Sequence, residues 1–275
     1  MQPTVLTIGG SDSSGGAGIQ ADLKAVAANG GYGASALTAV TAQNTREVLH
    51  THQLPAEVVE AQLRALFDDL DIRAVKTGML VSAPIVEVVA AALDREGVEH
   101  VVCDPVLGAT TGSALLDAGG LEVMGRRLFP GLRLITPNAE EASRLSGVEV
   151  RNPEDAARAG KRLLEMGPRA VLVKGGHFEQ GAGCDVLVTR EGSRRYGASW
   201  SASPHTHGTG CSYASAIATW LARGASLEDA VGLAKQFIDD AIRAGIPVGG
   251  GAGPTDPFFF LRHDDASGWL EKVRS

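Results

Sequence analysis

Cysteine is scarce in this chain of 275 residues. Cys103, Cys184 and Cys211 make an odd set without CxxC spacing, which excludes a disulfide framework or a cysteine-built zinc site and fits a reducing compartment. Aromatic residues are 5% of the total, and Trp200, Trp220 and Trp269 form no row on which bases could stack. Positive charge is not concentrated either. The 25 Lys and Arg are scattered and outnumbered by 32 Asp and Glu, for a formal net charge of −7, so the clustered basic face of a nucleic-acid binder is missing. No apolar run approaches the roughly 20 residues of a membrane span, and Val5–Ile8 is too short for a signal segment. Together these absences predict a soluble cytoplasmic protein with neither nucleic acid nor membrane as partner.

Glycine, by contrast, is abundant at 35 residues, well above the usual level of about 7%. No repeat period accompanies it, so collagen is excluded and glycine-lined turns become the point of interest. Hydrophobic residues at 44% and charged residues at 21% describe a packed globular chain. The length suits one large α/β domain, and nothing along the chain reads as a linker. We expect a single domain over residues 1–275.

Short β-branched runs alternate with helix-length segments. The expected strands are Val5–Ile8, Ser35–Val40, Ala74–Lys76, His100–Asp104, Arg133–Thr136 and Ala170–Lys174. The expected helices between them are Gly18–Ala28, Pro55–Asp69, Ala83–Arg95, Leu116–Arg127 and Pro153–Met166. Within Pro55–Asp69, Val58, Leu63, Leu66 and Phe67 recur at helical spacing and predict one buried face. Nearly continuous apolar strands alternating with helices indicate a parallel sheet covered on both faces. After Lys174 a hairpin is expected, Val186–Thr189 and Ser193–Tyr196 around Glu191-Gly192, then helices over Cys211–Ala222 and Leu227–Ala244 and a glycine-rich loop.

In open parallel sheets, ligands sit beyond the carboxyl ends of the strands. Six strand ends here carry polar or glycine residues: Gly9-Gly10-Ser11-Asp12, Thr41-Ala42-Gln43-Asn44, Thr77-Gly78-Met79, Asp104, Pro137-Asn138, and Lys174-Gly175-Gly176-His177. Any one alone reads as a turn; six on one sheet edge read as a site.

Individual motifs narrow the chemistry. Gly16-Ala17-Gly18-Ile19-Gln20-Ala21 matches GxGxxA after the first strand, but no acid lies between Asp22 and Glu47 to hold a ribose, so a dinucleotide site is set aside. No GxxxxGK[ST] segment occurs. His207-Gly208-Thr209-Gly210-Cys211 precedes an apolar helical stretch; such a turn presents unpaired N–H groups at a helix start and is a ready anion site. Cys211 stands where a capping Ser, Thr, Asn or Asp would be usual, and a helix start favours the thiolate. Cys103 and Cys184 read as strand residues of the core. Asn138 and Glu141 share a helix face, either as oxygen ligands for Mg²⁺ or as an N-cap with its capping box; the spacing leaves both open. His205 and His207 read as loop residues without a metal shell.

Taken in order, these segments resemble the ribokinase superfamily of ATP-dependent small-molecule kinases. More closely they are similar to the hydroxymethylpyrimidine/phosphomethylpyrimidine kinases of thiamine biosynthesis. The match is carried by Gly10–Asp22 (GSDSSGGAGIQAD), Val40–Thr45 (VTAQNT), Val75–Leu80 (VKTGML), Asp104-Pro105-Val106, Thr136–Glu141 (TPNAEE), Val173–His177 (VKGGH) and Thr206–Cys211 (THGTGC). The GTGC segment is specific, because the wider superfamily places Asp where this chain has Cys211.

The resemblance implies a three-layer α/β/α ribokinase-like fold with a mostly parallel central sheet. It implies an anion hole at Gly208, Thr209, Gly210 and Cys211, with Cys211 as catalytic base and Lys174 offsetting phosphoryl charge. It implies Mg²⁺ near Asp104, Asn138 and Glu141, and ATP near Asn138, Lys174 and Thr209. Pyrimidine contacts carry over to Gly10, Asp22, Gln43 and Met79, and a homodimer is implied as well. Two alternatives share the fold: a pyridoxal kinase, and a non-catalytic pyrimidine-binding sensor.

Overall fold

The computed structural model describes residues 2–108, 116–176, 178–197, 203–262 and 268–274. His177 and Trp200 lie outside the described residues. The chain alternates strands and helices: β1 (Thr4–Asp12), α1 (Gly18–Ala28), β2 (Tyr32–Gln43), β3 (Val48–Gln53), α2 (Ala56–Phe67), β4 (Ile72–Thr77), α3 (Ala83–Glu96), β5 (Val101–Cys103), α4 (Ala118–Val123), β6 (Leu134–Ile135), α5 (Ala139–Ser146), α6 (Pro153–Leu164) and β7 (Val171–Val173). The hairpin β8 (Asp185–Thr189) and β9 (Gly192–Tyr196) follows, then α7 (Thr209–Ala222), α8 (Leu227–Arg243) and the short helices α9 (Phe259–Arg262) and α10 (Trp269–Arg274).

The nine strands of the described residues form one sheet in the order β3-β2-β1-β4-β5-β6-β7-β8-β9. The six from β2 to β7 are parallel to their neighbours; β3, β8 and β9 are antiparallel additions at the two edges. Both faces are covered, and the two-residue period of a strand shows how. Leu6, Ile8, Val75, Cys103, Val171 and Val173 point into one core with α2, α3 and α6. Val5, Ala74, Val102 and Leu172 point into the other, with α1, α7, α8 and Trp269. The expected three-layer α/β/α architecture with a mostly parallel sheet is therefore observed. Among the described residues, no helix is long and apolar enough to cross a membrane.

Local chemistry sets the helix boundaries. Asn152 caps α6 by accepting from Asp155 N–H, Pro153 opens the helix, and acids in its first turn face bases in its last. Gly97 and Gly147 close α3 and α5 in the left-handed conformation. Around 116–127 the expected continuous helix is replaced by α4 and a π-turn over Met124–Leu128. Gly119 and Gly120 lower helix propensity there, and Asp117 caps the shortened start.

Three expectations need correction. Strand β3 was not foreseen: Leu49, His50, His52 and Gln53 are exposed, so this edge strand shows no buried alternation to read. In α2, Val59 rather than Val58 faces inward with Leu63, a spacing of four residues, while Val58 is exposed and Leu66 and Phe67 are half-buried. Cys184 precedes β8 instead of lying in a strand and is half-buried; Cys103 is buried in β5 as expected.

Substituting Leu63→Ala should cost about 2–5 kcal/mol of unfolding free energy, since it opens a cavity in the core. Val58→Ala should stay within about 0.5 kcal/mol, as an exposed substitution. Urea denaturation of both variants checks the assigned helix face.

Candidate active site

A cavity of about 400 Å³ runs along the carboxyl edge of the sheet. It is reached by all six polar strand ends: Gly10, Gln43, Met79, Asp104, Asn138 and Lys174 all line it, together with Gly208, Thr209, Gly210 and Cys211. Because the strands follow the sheet order, Gln43 and Gly10 mark one end. Asp104, Asn138 and Lys174 occupy the middle, and Asp185, at the start of β8, marks the other end with Tyr213, Lys235, Ile238, Asp239 and Ile242.

The floor is an ion pair buried to about 1% exposure on each side: Lys76 Nζ on β4 lies 2.9 Å from Asp22 Oδ2 on α1. Thr7 Oγ1 donates to the same Oδ2, and Ser215 Oγ on α7 donates to Oδ1 at 2.9 Å. Burial alone would lower the Lys76 pKa; the charges of Asp22, Cys211 and Asp104 outweigh it and hold the ammonium protonated. Asp22, a residue implied to touch the pyrimidine, thus lines the cavity with both oxygens already engaged by protein donors. Sequence reading missed Lys76 as a site residue. Its signal was a lone Lys in an otherwise apolar strand, a residue type rarely buried without a partner.

In the middle of the cavity, Lys174 Nζ lies 2.6 Å from Asp104 Oδ1, with both side chains largely buried. The first turn of α7 packs directly on this pair: a Cβ added at Gly210 would lie 3.1 Å from both Asp104 Oδ2 and Lys174 Nζ. No side chain caps α7, whose cap residue Gly208 has φ +77°. Among the described residues the N–H groups of Gly210 and Cys211 have no backbone partner. Two unpaired amides, the positive end of a helix and an ammonium group therefore converge, the combination that holds a phosphoryl oxygen.

Asn138 and Glu141 make the complete capping box of α5: Glu141 N–H donates to Asn138 Oδ1 and Asn138 N–H to Glu141 Oε2, each at 2.9 Å. The box leaves lone pairs on both side chains. Burial pushes the Glu141 pKa up to about 7; Lys174 pulls it down and Asp104 pushes it further up. Two hard carboxylates that repel one another in a partly desolvated site suit a divalent cation. Among the described residues, no group of three or more His, Cys, Asp or Glu could enclose a metal. That donor set fits Mg²⁺, which keeps waters and borrows phosphate oxygens rather than demanding a full protein shell.

Cys211 is half-buried at the start of α7. The expectation of a ready thiolate is not met. Desolvation pushes its pKa up to about 11, reinforced by Asp22 and Asp104 and opposed by Lys76 and the Gly18 backbone amide. Burial outweighs the Lys76 charge at this sulfur.

At the far end of the row, a Cβ on Gly10 would lie 3.0 Å from Met79 Sδ, so glycine lets the thioether lie flat against β1. Gln43 Oε1 accepts from Thr41 Oγ1 at 3.1 Å, and Gln43 Nε2 is 3.4 Å from His207 Nε2. His207, expected to be a loop residue, lines the cavity and bonds Asp12 Oδ2 through Nε2 at 2.9 Å. Burial would raise Asp12, but hydrogen bonds from His207, Ser14 and Ala17 override it and hold the carboxyl at about 2. His207 does lie in the loop before α7, and its contact with Asp12 escaped the sequence reading because the two are 195 residues apart and meet only in the fold.

Residues 12–256 match the family described as phosphomethylpyrimidine kinase. The chain is 49% identical over 259 residues to the hydroxymethylpyrimidine/phosphomethylpyrimidine kinase of Streptomyces coelicolor, covering 92% of this chain and 94% of that protein. It is 47% identical over 253 residues to the thiamine biosynthesis bifunctional protein ThiED of Geobacter sulfurreducens, covering 92% of this chain and 52% of that protein; the chain spans about half the length of this relative. Among solved structures, the ADP complex of Bacillus subtilis pyridoxal kinase superposes with a TM-score of 0.88 at 33% identity, covering 96% of this chain and 100% of that one.

Two measurements probe the site. Lys76→Met leaves Asp22 buried without its cation and should cost about 3–5 kcal/mol, most of it recovered in Lys76→Met/Asp22→Asn; urea unfolding reads both. Alkylation of Cys211 by iodoacetamide should be slow at neutral pH and climb about tenfold per pH unit between 8 and 10, because only the thiolate reacts. A plateau below pH 8, followed by peptide mass spectrometry, would show instead that the helix start has already ionised it.

Proposed function

The chain belongs to the phosphomethylpyrimidine kinase family, and from that premise we propose that it uses ATP to phosphorylate 4-amino-5-hydroxymethyl-2-methylpyrimidine and then the resulting monophosphate to the pyrophosphate, in thiamine biosynthesis. The observation that carries this reading is the uncapped start of α7 against the Lys174–Asp104 pair, midway between one end of the cavity at Gln43 and the other at Asp185, Lys235, Ile238 and Ile242. A phosphoryl donor and a hydroxymethyl acceptor can approach that point from opposite sides.

Phosphoryl transfer asks the protein for alignment and charge stabilisation more than for covalent work. In this assignment the amides of Gly208, Gly210 and Cys211 hold the transferring group and Lys174 offsets its charge; the Thr209 N–H, expected to join them, is already donated to the Thr206 carbonyl at 3.2 Å. The hydroxymethyl oxygen forms a bond to the γ-phosphorus as the bond to the β-phosphate bridging oxygen breaks, releasing ADP. The hydroxyl proton goes to Cys211 as thiolate. Lys76, beneath the sulfur, favours that thiolate against the burial that opposes it. Gln43 offers a donor and an acceptor to the edge of an aminopyrimidine, with Gly10 and Met79 shaping the ring's seat. Asp22 acts from the floor, holding Lys76. Asp104, Asn138 and Glu141 would hold Mg²⁺, which when bound neutralises charge on the ATP phosphates.

A pyridoxal kinase is the second reading, favoured by the TM-score of 0.88 to such an enzyme; the pyrimidine reading is preferred because the family match covers residues 12–256. We further assign the chain as one kinase domain over residues 1–275, working in the cytoplasm as a homodimer. Exposed Tyr32, Val40 and Leu49 on the β2–β3 edge support the pairing, and sedimentation measures it.

Mass spectrometry of a reaction with MgATP should show the pyrimidine monophosphate and then the diphosphate; faster turnover of pyridoxal under matched conditions would reverse the order of the two readings. Gln43→Leu should weaken pyrimidine binding by about 1–3 kcal/mol, the cost of an unsatisfied polar edge, with nucleotide affinity unchanged by calorimetry. Cys211→Ala should fold, bind both ligands and transfer phosphoryl at least about a hundredfold more slowly in a single turnover. In the parent, that rate should rise with pH above 7, and the dependence should vanish in the Ala variant.

A further inference from the structure

Asp12 and His207 take no part in the chemistry assigned above, yet they join three loops at the cavity. Asp12 closes β1 at 3% exposure. Its Oδ1 accepts from Ser14 N–H at 2.8 Å; its Oδ2 accepts from Ser14 Oγ at 2.9 Å, Ala17 N–H at 2.8 Å and His207 Nε2 at 2.9 Å. Ala17 is the cap residue of α1 and has no side-chain oxygen of its own, so Asp12 satisfies that helix start from outside. His207 is held on its other sides by backbone: its N–H donates to Gly253 carbonyl at 3.1 Å, and its carbonyl accepts from Thr255 N–H at 3.3 Å. The imidazole lies over Gly16, where a Cβ would fall 2.5 Å from Cδ2.

The next residue begins the anion hole. At Gly208 a Cβ would fall 1.9 Å from the Gly16 carbonyl oxygen, so the 12–17 loop and the start of α7 are in direct backbone contact. The Asp12–His207 bond is the polar tie across that contact. It also orients the ring: with its proton on Nε2 directed at the carboxylate, that nitrogen has no lone pair to accept from Gln43 Nε2 3.4 Å away, so the Gln43 amide keeps its donors for a ligand.

We propose that Asp12 and His207 are positioning residues, whose bond sets the placement of the Gly208–Cys211 amides relative to Gln43 and so aligns an acceptor hydroxyl with the transferring phosphoryl group. The functional half of this inference rests on the kinase reading; the structural half does not.

The test compares His207→Met, which fills the volume without a donor, with His207→Gln, which keeps an N–H, and adds Asp12→Asn and the Asp12→Asn/His207→Met pair. With both ligands saturating, His207→Met should lose at least about tenfold in single-turnover rate, toward the hundredfold that a misplacement of about 1 Å costs. Its KM for the pyrimidine should stay within about threefold, and His207→Gln should recover most of the rate. The double variant should be no slower than the worse single one, as for two groups acting as a unit. Hydrogen exchange on ligand-free protein should quicken about tenfold over residues 205–212 in His207→Met and stay unchanged in α8. A His207→Met rate within about twofold of the parent, unchanged exchange, additive losses or no recovery by Gln would each overturn the proposal. If the Met variant does not fold, His207→Gln and Asp12→Asn decide on the same readings. Because the exchange needs no substrate, a parent that turns over neither the pyrimidine nor pyridoxal would remove the kinase reading while the exchange still judges the clamp.

Discussion

The rest of the site depends on the buried pair between Lys76 and Asp22. Taking two charges out of water costs several kcal/mol each before their attraction returns anything. Such a pair persists only where geometry and extra hydrogen bonds complete it, and here Thr7 and Ser215 complete it. Four elements are committed by this one contact: β1 through Thr7, α1 through Asp22, β4 through Lys76 and α7 through Ser215. It clamps α1 and the middle of α7 beside one another against the sheet. It also places an ammonium beneath Cys211 and near Asp104, which sets the electrostatics of everything above it.

Close backbone approach is the second constraint, and it explains part of the glycine excess. Gly208 meets the Gly16 carbonyl, and Gly210 meets the Asp104–Lys174 pair. In both places a Cβ would either collide with backbone or push the helix start away from the charges that it serves. The cost is a helix end without a side-chain cap, and those unpaired amides are what makes the cavity able to take an anion.

Charge balance in the cavity follows. Asp12, Asp22, Asp104, Glu141, Asp185 and Asp239 line it with Lys76, Lys174 and Lys235, so the carboxylates exceed the ammonium groups by three if all are ionised. Burial is the main reason the Glu141 pKa is raised, and Asp104 adds to it against the pull of Lys174, so this carboxylate bears part of that excess. A divalent cation shared with phosphate oxygens would relieve it, which ties the donor set to the same ligand that the α7 amides suit.

The sequence by itself determined the layered architecture and the edge of the sheet that bears the site. Strand ends such as Thr136–Asn138 and the HGTGC turn are local signals, since turn chemistry and two-sided burial are written within a few neighbouring residues. Strand β3 was illegible because an exposed edge strand carries no burial pattern, and Val59 displaced Val58 because a shift of one residue turns a helix face by about 100°. Tertiary structure alone decided the pairing of Asp12 with His207, the engagement of Asp22 by Lys76, and the upward shift of the Cys211 pKa. Each depends on groups brought together from distant segments and on the loss of water around them. Desolvation is a property of the packed neighbourhood, so no reading of adjacent residues could assign it.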